Sequence, residues 1–433
     1  MLQIRISSED DGEGNKLDFM NLADSIYSSL LEQQHYFDDC LILNPVENIP
    51  DPKILTPSTS FLHGLYNTDT IKTEEEKINS KIQFSGRSQI TNDINKIYTS
   101  WAELLGGEGI SMRLLSGLHA HIVIFMAITE IGQRVMALPE KAGGHVSSYA
   151  ILKRLGLQIK DIPYNCTQMK IDQEKCISDI EAFQPDVIFV DRSEGLVYED
   201  FSWLGHYKTE HPCYKIFDAS QYLTNIICYD YRNPFEMGFD LIITTMHKNL
   251  PGPQRALVCA KKSDEMWKRL RSGISTYVSN MHTFSIYSAG LLLSNYEQLK
   301  TLSKNMLQNA CTLDAALQAA GVPIIARQTD SLSPPTHHCW IGPLDKVCAY
   351  ELYCSLEQIG LMTNYRLLPY DIGYGLRLGL SGATQSGLRA VDIPELAEII
   401  STVYGHGVDE QIKGKAHHFI RRVKGIDKND PMQ

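Results

Sequence analysis

Residues 240–253 read Asp240-Leu241-Ile242-Ile243-Thr244-Thr245-Met246-His247-Lys248-Asn249-Leu250-Pro251-Gly252-Pro253. The run DLIITT is apolar and β-branched, which marks a buried strand, and the Pro-Gly-Pro after it marks a turn. Lys248 therefore stands just past a strand's carboxyl end, where open α/β sheets bind their ligands. Composition alone would make such a lysine a surface residue. The chain on either side changes that reading.

Further apolar runs flank this one: RVMALP (134–139), VIFVD (187–191), CYKIFDAS (213–220) and ALVCAKK (256–262), with helix-like stretches such as 147–155 and 175–183 between them. This alternation predicts an α/β layer with a mainly parallel sheet flanked by helices. Several of the strands end in polar residues, Asp191–Ser193, Asp218–Ser220 and Thr244–Lys248. Asp218 supplies the chemical partner for Lys248. A carboxylate that keeps a pyridinium nitrogen protonated, with a lysine that forms an imine, is the minimum equipment of a pyridoxal-phosphate site.

The remaining chain divides around this layer. Leu17, Phe19, Leu22, Ile26, Leu30 and Leu31 have the spacing of an amphipathic helix over 17–34. Pro45, Pro50, Pro52 and Pro57 break the next stretch, and 71–81 is charged and expected to be exposed. After about residue 285 a long helical region (284–321) leads into strand-like pieces VPIIAR, HHCWIG and GLRLGL and a helix over 393–404. These predict a smaller C-terminal α+β domain, with the polar, basic GKAHHFIRRVKGIDKNDPMQ as a frayed end. The expected organisation is an N-terminal arm (1–35), a large cofactor-binding domain (36–285), a small domain (286–425) and a tail (426–433).

Composition narrows the function classes. With 433 residues, 43% of them hydrophobic and 21% charged, the chain reads as an ordinary globular protein. A net charge of -11 lacks the basic footprint that nucleic acid requires. The ten cysteines form no CxxC pair, so no zinc site or disulfide scaffold is expected, and most should be buried thiols. The N-terminus lacks a signal peptide's basic start and apolar core. No apolar run reaches the roughly 18 residues of a membrane span, so a cytoplasmic enzyme is expected.

Several blocks together resemble serine hydroxymethyltransferases. TTMHKNLPGPQ resembles their T-T-x-T-H-K-x-L-x-G-P-R loop, and Asn44-Pro45-Val46-Glu47-Asn48 their P-S-E-N element. Leu115-Ser116-Gly117-Leu118-His119-Ala120 resembles the S-G-S-x-A-N phosphate loop, Gly143-Gly144-His145 the G-G-H turn, and Tyr374-Gly375-Leu376-Arg377-Leu378-Gly379 the S-G-x-R-x-G strand. The resemblance spans roughly residues 30–405. It implies a fold-type-I enzyme with a large domain built on a mainly parallel seven-stranded sheet and a smaller α+β domain. It also implies pyridoxal 5'-phosphate held by Lys248 as a Schiff base and by Asp218 at the ring nitrogen.

Other roles follow from the same resemblance. Ser116 and Gly117 would meet the phosphate at a helix N-terminus, His145 would stack on the ring, and Ser193 would bond the phenolic oxygen. Ser220, Thr245 and His247 would line the lysine's side. Arg377 would grip the substrate carboxylate, and Glu47 would act as general acid or base on the substrate hydroxyl. Tyr66 would reach the site of a neighbouring subunit, which implies at least a homodimer with shared active sites.

The departures are as informative as the matches. The arginine of G-P-R is Gln254, followed by Arg255; the histidine of D-x-A-H is Gln221; the second tyrosine of Y-Y-G-G is Phe84. The folate-contacting I-T-V-N-K-N stretch reads Leu361-Met362-Thr363-Asn364-Tyr365-Arg366, with a cation where an asparagine is expected. The partner's phosphate-cupping glycine pair is missing around Tyr277–Asn280, leaving Ser279 or Asn280 as stand-ins. The cofactor machinery is thus kept while the tetrahydrofolate side is altered. This predicts retro-aldol cleavage of threonine or serine to a glycyl quinonoid and transfer to an aldehyde, as in threonine transaldolases. The alternatives are a tetrahydrofolate-dependent serine/glycine hydroxymethyltransferase, another reaction of the same cofactor (transamination, racemisation or substitution), and a non-enzymatic homologue.

Overall fold

The computed structural model describes residues 19–68, 73–80 and 82–426. The first amphipathic pattern is the helix Phe19–Asp38, a unit of its own, and a second unit begins at Leu41. That second unit is organised by seven strands: β1 (Gly109–Ser111), β2 (Arg134–Ala137), β3 (Gln158–Asp161), β4 (Val187–Val190), β5 (Tyr214–Asp218), β6 (Leu241–Thr245) and β7 (Ala256–Ala260). They form one sheet in the order β1-β7-β6-β5-β4-β2-β3. β7 alone runs against the other six strands, so the sheet is mainly parallel, as the sequence pattern predicted.

Because side chains alternate across a strand, the two faces of the sheet can be read from residue parity. Val187, Phe189, Ile216, Leu241 and Ile243 fall in one buried cluster with Ala120, Val123, Ile124 and Phe125 of the helix Gly117–Ile128. Ile188, Val190, Phe217 and Ile242 fall in another, with Trp101, Phe201 and Phe239. Each such side chain contributes about 1.5–3 kcal/mol by leaving water, so this buried layer fixes where the strands end.

A third cluster joins Leu41 and Leu43 to Leu313, Leu317, Ile341, Leu376 and Phe419. It surrounds a three-stranded antiparallel sheet of β8 (His338–Leu344), β9 (Asn364–Leu368) and β10 (Gly373–Gly379), in the order β8-β10-β9. The expected long helical region is two helices, Thr283–Leu293 and Tyr296–Ala319.

Three expectations are corrected. VPIIAR is not a strand: Ile324 makes only an isolated bridge to Ile341. Pro323 removes a ladder donor, and Arg327 turns inward to Asp314 (2.5 Å) and to the carbonyls of Leu196 and Thr336 (both 2.9 Å). As far as it is described, the basic C-terminal segment is not frayed, since Glu410–Lys424 is a helix capped by Asp409 and ended by Gly425 at φ 68°; residues 427–433 of the expected tail lie outside the described residues. Its polar average concealed a buried stripe of Ile412, Ala416, Phe419, Ile420 and Val423. Five of the ten cysteines are buried, fewer than expected, and Cys166, Cys311 and Cys348 are exposed. Among the described residues no helix is long and apolar enough to cross a membrane.

The C-terminal helix provides a direct check. Phe419→Ala removes a fully buried ring and is expected to cost about 3–5 kcal/mol, lowering the urea midpoint of unfolding. An unchanged midpoint would return this segment to the status of a loose end.

Candidate active site

The parity that sorts the core also delivers the polar strand ends to one place. Asp218 closes β5, Thr245 closes β6 and Asp191 follows β4, and these are three adjacent parallel strands. The helix Gly117–Ile128 covers their face and brings His121 to Asp218, with Nε2 2.7 Å from Oδ2 and both groups buried. The Ser220 amide donates to the other Asp218 oxygen at 2.7 Å. Behind them, Ser148 and Ser193 donate to the two oxygens of Asp191 at 2.5 and 3.2 Å. His121, Asp191 and Asp218 lie close enough to form a metal cluster, but these hydrogen bonds already engage both aspartates.

Burial alone would raise the Asp218 carboxyl, but the hydrogen bond and charge of His121, with Lys248 nearby, bring it down to about 2. Burial would likewise lower His121, yet Asp218 and Asp191 hold it above its ordinary value. At the floor of the site each group of the pair thus favours the charged form of the other.

Lys248 lies three residues beyond β6, half-buried, on a loop closed by hydrogen bonds from the Met246 amide to Arg255 O and from the Gly252 amide to Met246 O, both 2.9 Å. Asn48 donates its side-chain amide to Lys248 O at 2.9 Å, which ties the Glu47 loop to the lysine loop. Desolvation lowers the Lys248 ammonium below its usual pKa, against the pull of Asp218 and Asp191. Burial and the charge of Lys248 bring His247 down to about 4, and its Nδ1 has no partner. Thr245 donates its amide to Ser220 Oγ at 3.1 Å, while its own hydroxyl is buried and unpartnered. A cavity of about 510 Å³ opens here, lined by Glu47, Asn48, His247, Gln254 and Phe284 among others. Glu47 and Gln254 are exposed to it.

Ser116 caps the helix Gly117–Ile128 by accepting from the His119 amide at 3.2 Å. The amides of Gly117 and Leu118 have no acceptor among the described residues, and they sit at the positive end of the helix. A side chain at position 117 would come within 2.9 Å of Thr245 Cγ2, so glycine permits this approach. The Gly-Gly before His145 has a similar cause. A Cβ on Gly143, at φ 85°, would lie 2.1 Å from Glu194 O, and the Glu194 amide donates to Gly143 O at 3.0 Å. The turn that carries His145 is thereby fastened to the loop that carries Ser193. His145 is half-buried, and burial lowers its pKa.

Arg377, buried on β10, donates Nε to Asn364 Oδ1 at 3.1 Å, and its NH1 lies 3.5 Å from Glu194 Oε1. Arg366 pairs with the same Glu194 oxygen. The cation noted in the folate-contacting stretch thus points at the wall that holds Arg377.

Tyr66 is not brought to Lys248 within the chain. Its ring packs on Phe84 with centroids 5.2 Å apart. The adjoining Asn67 amide donates to Asn280 Oδ1 at 3.1 Å, and the Met281 amide donates back to Asn67 O at 2.8 Å. The side-chain oxygen of Asn280 is thus used within the chain. Gln221 is buried, with Oε1 3.3 Å from His338 Nε2. Arg255 does not replace the missing loop arginine; it is buried and binds Ser285 and the carbonyls of Met281 and His282.

His121, Glu194 and Asn48 were not identified as site residues from the sequence. With Ser116-Gly117 set on the S-G of S-G-S-x-A-N, the pattern's last position falls on His121, one residue past the block quoted above, and Asn48 follows Glu47, so both had a readable signal. Glu194 had none, because only the folded chain brings β9 to the loop after β4.

The serine hydroxymethyltransferase family model matches residues 102–400. This chain belongs to that family. A serine hydroxymethyltransferase from Pyrobaculum arsenaticum is 27% identical over 315 residues, covering 70% of this chain and 72% of its own length. Another from Picrophilus torridus is 23% identical over 426 residues, covering 95% and 96%. The fold is also that of the L-threonine transaldolase from Pseudomonas fluorescens, solved in the internal aldimine state, with a TM-score of 0.85 and 19% identity over 93% of this chain and 92% of that one. The chain is a pyridoxal-phosphate-dependent transferase of the serine hydroxymethyltransferase type. Its residues fit that cofactor: free amides at a helix start, an ionised buried aspartate, a desolvated lysine and orphaned polar atoms on Thr245 and His247 all face one region.

The floor of the site predicts a pH signature. The depressed pKa of Asp218 contributes stability above about pH 4 that is lost as the pH falls toward 2. The raised pKa of His121 contributes below about pH 6.5 and is lost as the pH rises through its folded value. His121→Ala leaves a buried charge unpaired and should cost about 3 kcal/mol. The difference from wild type in urea unfolding should be widest at about pH 4–6.5. A difference that does not vary with pH would contradict the pair.

Proposed function

We propose that this enzyme cleaves the Cα–Cβ bond of a β-hydroxy amino acid, threonine or serine, and transfers the glycyl unit to an aldehyde, without tetrahydrofolate. The observation that carries this reading is Arg366. Where the resemblance calls for an asparagine facing folate, this chain has a cation tied to the buried Glu194. The fold is shared with a protein named as a threonine transaldolase, so the scaffold suits the reaction.

In this reading Lys248, Asp218, His145, Ser193, Ser220, Thr245, His247, Ser116 and Gly117 hold pyridoxal phosphate. Bound there, it supplies an electron sink for the pair left on the α-carbon. Asp218 stays ionised under His121 and keeps that sink protonated. Arg377 holds the amino acid's carboxylate, which fixes which bond at the α-carbon stands ready to break. Glu47, at the mouth of the cavity, takes the β-hydroxyl proton as the Cα–Cβ bond opens and the first aldehyde leaves. When the α-carbon bonds to the second aldehyde, Glu47 returns that proton to the new hydroxyl. Tyr66, whose ring packs on Phe84, serves the site of a second copy in a homodimer.

A second reading is favoured by the relatives, which are named serine hydroxymethyltransferases: transfer of a one-carbon unit between serine and tetrahydrofolate. Incubation with threonine and a panel of aldehydes, followed by mass spectrometry, separates the two. We expect acetaldehyde release without folate and new β-hydroxy-α-amino acids. Serine-to-glycine conversion that requires tetrahydrofolate, with threonine untouched, would establish the second reading. Glu47→Gln should slow threonine cleavage by about 100-fold while glycine still binds; an unaffected rate would remove Glu47 from proton transfer.

A further inference from the structure

Glu194 is an unusual neighbour for an arginine that is to receive a substrate carboxylate. Its side chain is only 3% accessible, Oε1 faces both Arg366 and Arg377, and Oε2 has no hydrogen-bond partner. Its backbone cannot retreat, because the Glu194 amide is bonded to Gly143 O at 3.0 Å. The two arginines belong to adjacent antiparallel strands. Asn364 pairs with Arg377 in the β9–β10 register and Arg366 pairs with Gly375, so Asn364, Arg366 and Arg377 share one face of the sheet.

Charge counting then decides what this group can bind. Arg377 and Glu194 alone are neutral, and a buried neutral pair offers a carboxylate no net attraction while presenting it with a like charge. Arg366 brings the group to one net positive charge. Glu140, the other acid near Arg366, is 3.7 Å away and 55% accessible, so water screens it. Burial lowers the Arg377 pKa despite Glu194, so the guanidinium lacks solvation that a substrate carboxylate would supply.

We propose that Arg366 is a positioning residue of the carboxylate site: it binds Glu194 so that Arg377 is left to the substrate, and the group takes a single carboxylate. This rests on the reading of Arg377 given above. Arg366 is then more than an obstruction to folate, because amino-acid binding depends on the Arg366–Glu194 pair.

The test is glycine binding to the holoenzyme by calorimetry, with methylamine as a ligand that lacks the carboxylate. Arg366→Ala should weaken glycine by about 10-fold or more, roughly the loss of one charge-assisted contact, and leave methylamine and cofactor content unchanged. Arg366→Lys, which keeps the charge, should stay within about 3-fold of wild type, a fraction of a charge-assisted bond. The decisive variant is the double, Arg366→Ala with Glu194→Gln, which should recover glycine binding to within about 3-fold because the uncompensated charge is gone. A double variant no better than Arg366→Ala, or an Arg366→Ala that binds glycine normally, would overturn the proposal. If Arg377→Ala binds glycine like wild type, both this proposal and the reading of Arg377 fall. If threonine is not cleaved but the glycine cycle behaves as stated, only the transaldolase reading falls.

Discussion

The hydrogen bond between His121 and Asp218, 2.7 Å long and closed to solvent, is the constraint around which the site is arranged. An isolated carboxylate in such an interior would take up a proton. Here the imidazole is brought to it by a helix whose other inward residues, Ala120, Ile124 and Phe125, belong to the core under the sheet. The helix must dock on that face of β4, β5 and β6 for the pair to form. The same docking presents the free amides of Gly117 and Leu118 beside Thr245. One packing event thus sets the Asp218–His121 pair at the floor and, at the helix start, a positive end that favours anions.

A second charge group stands on the other wall. Two arginines from the small three-stranded sheet meet Glu194, and Glu194 is fixed by the same loop that carries Ser193. The small sheet and the large sheet are therefore coupled through an ion pair as well as through packing. In our account the floor serves the cofactor and this wall serves the amino acid. Of the altered residues, Gln254 lines the cavity with Glu47 and His247, and Arg366 is bound to Glu194.

The sequence made the large sheet legible because its strands are buried on both faces and read as unbroken apolar runs, DLIITT and VIFVD among them. Lys248 and Asp218 were legible for the same reason, since each follows such a run. What escaped were features that depend on periodicity beneath a polar average or on long-range approach. The helix Glu410–Lys424 hides five buried residues among basic ones. VPIIAR has strand-like composition, but Pro323 and the inward turn of Arg327 prevent pairing. Glu194 could not be matched with Arg366 from sequence, because 172 positions separate them. The sequence placed Arg255 next to Gln254 but could not show its role, which is set by its contacts with Ser285 and the Met281 carbonyl.

The central claim is that Lys248 carries the cofactor. Borohydride reduction of the holoenzyme, followed by digestion and peptide mass spectrometry, tests it most directly, because reduction makes an imine permanent on the residue that holds it. The account predicts a pyridoxyl group on the peptide containing Lys248 and on no other lysine. A pyridoxyl group on a different lysine, or cofactor that stays bound yet leaves every lysine unmodified after reduction, would contradict it.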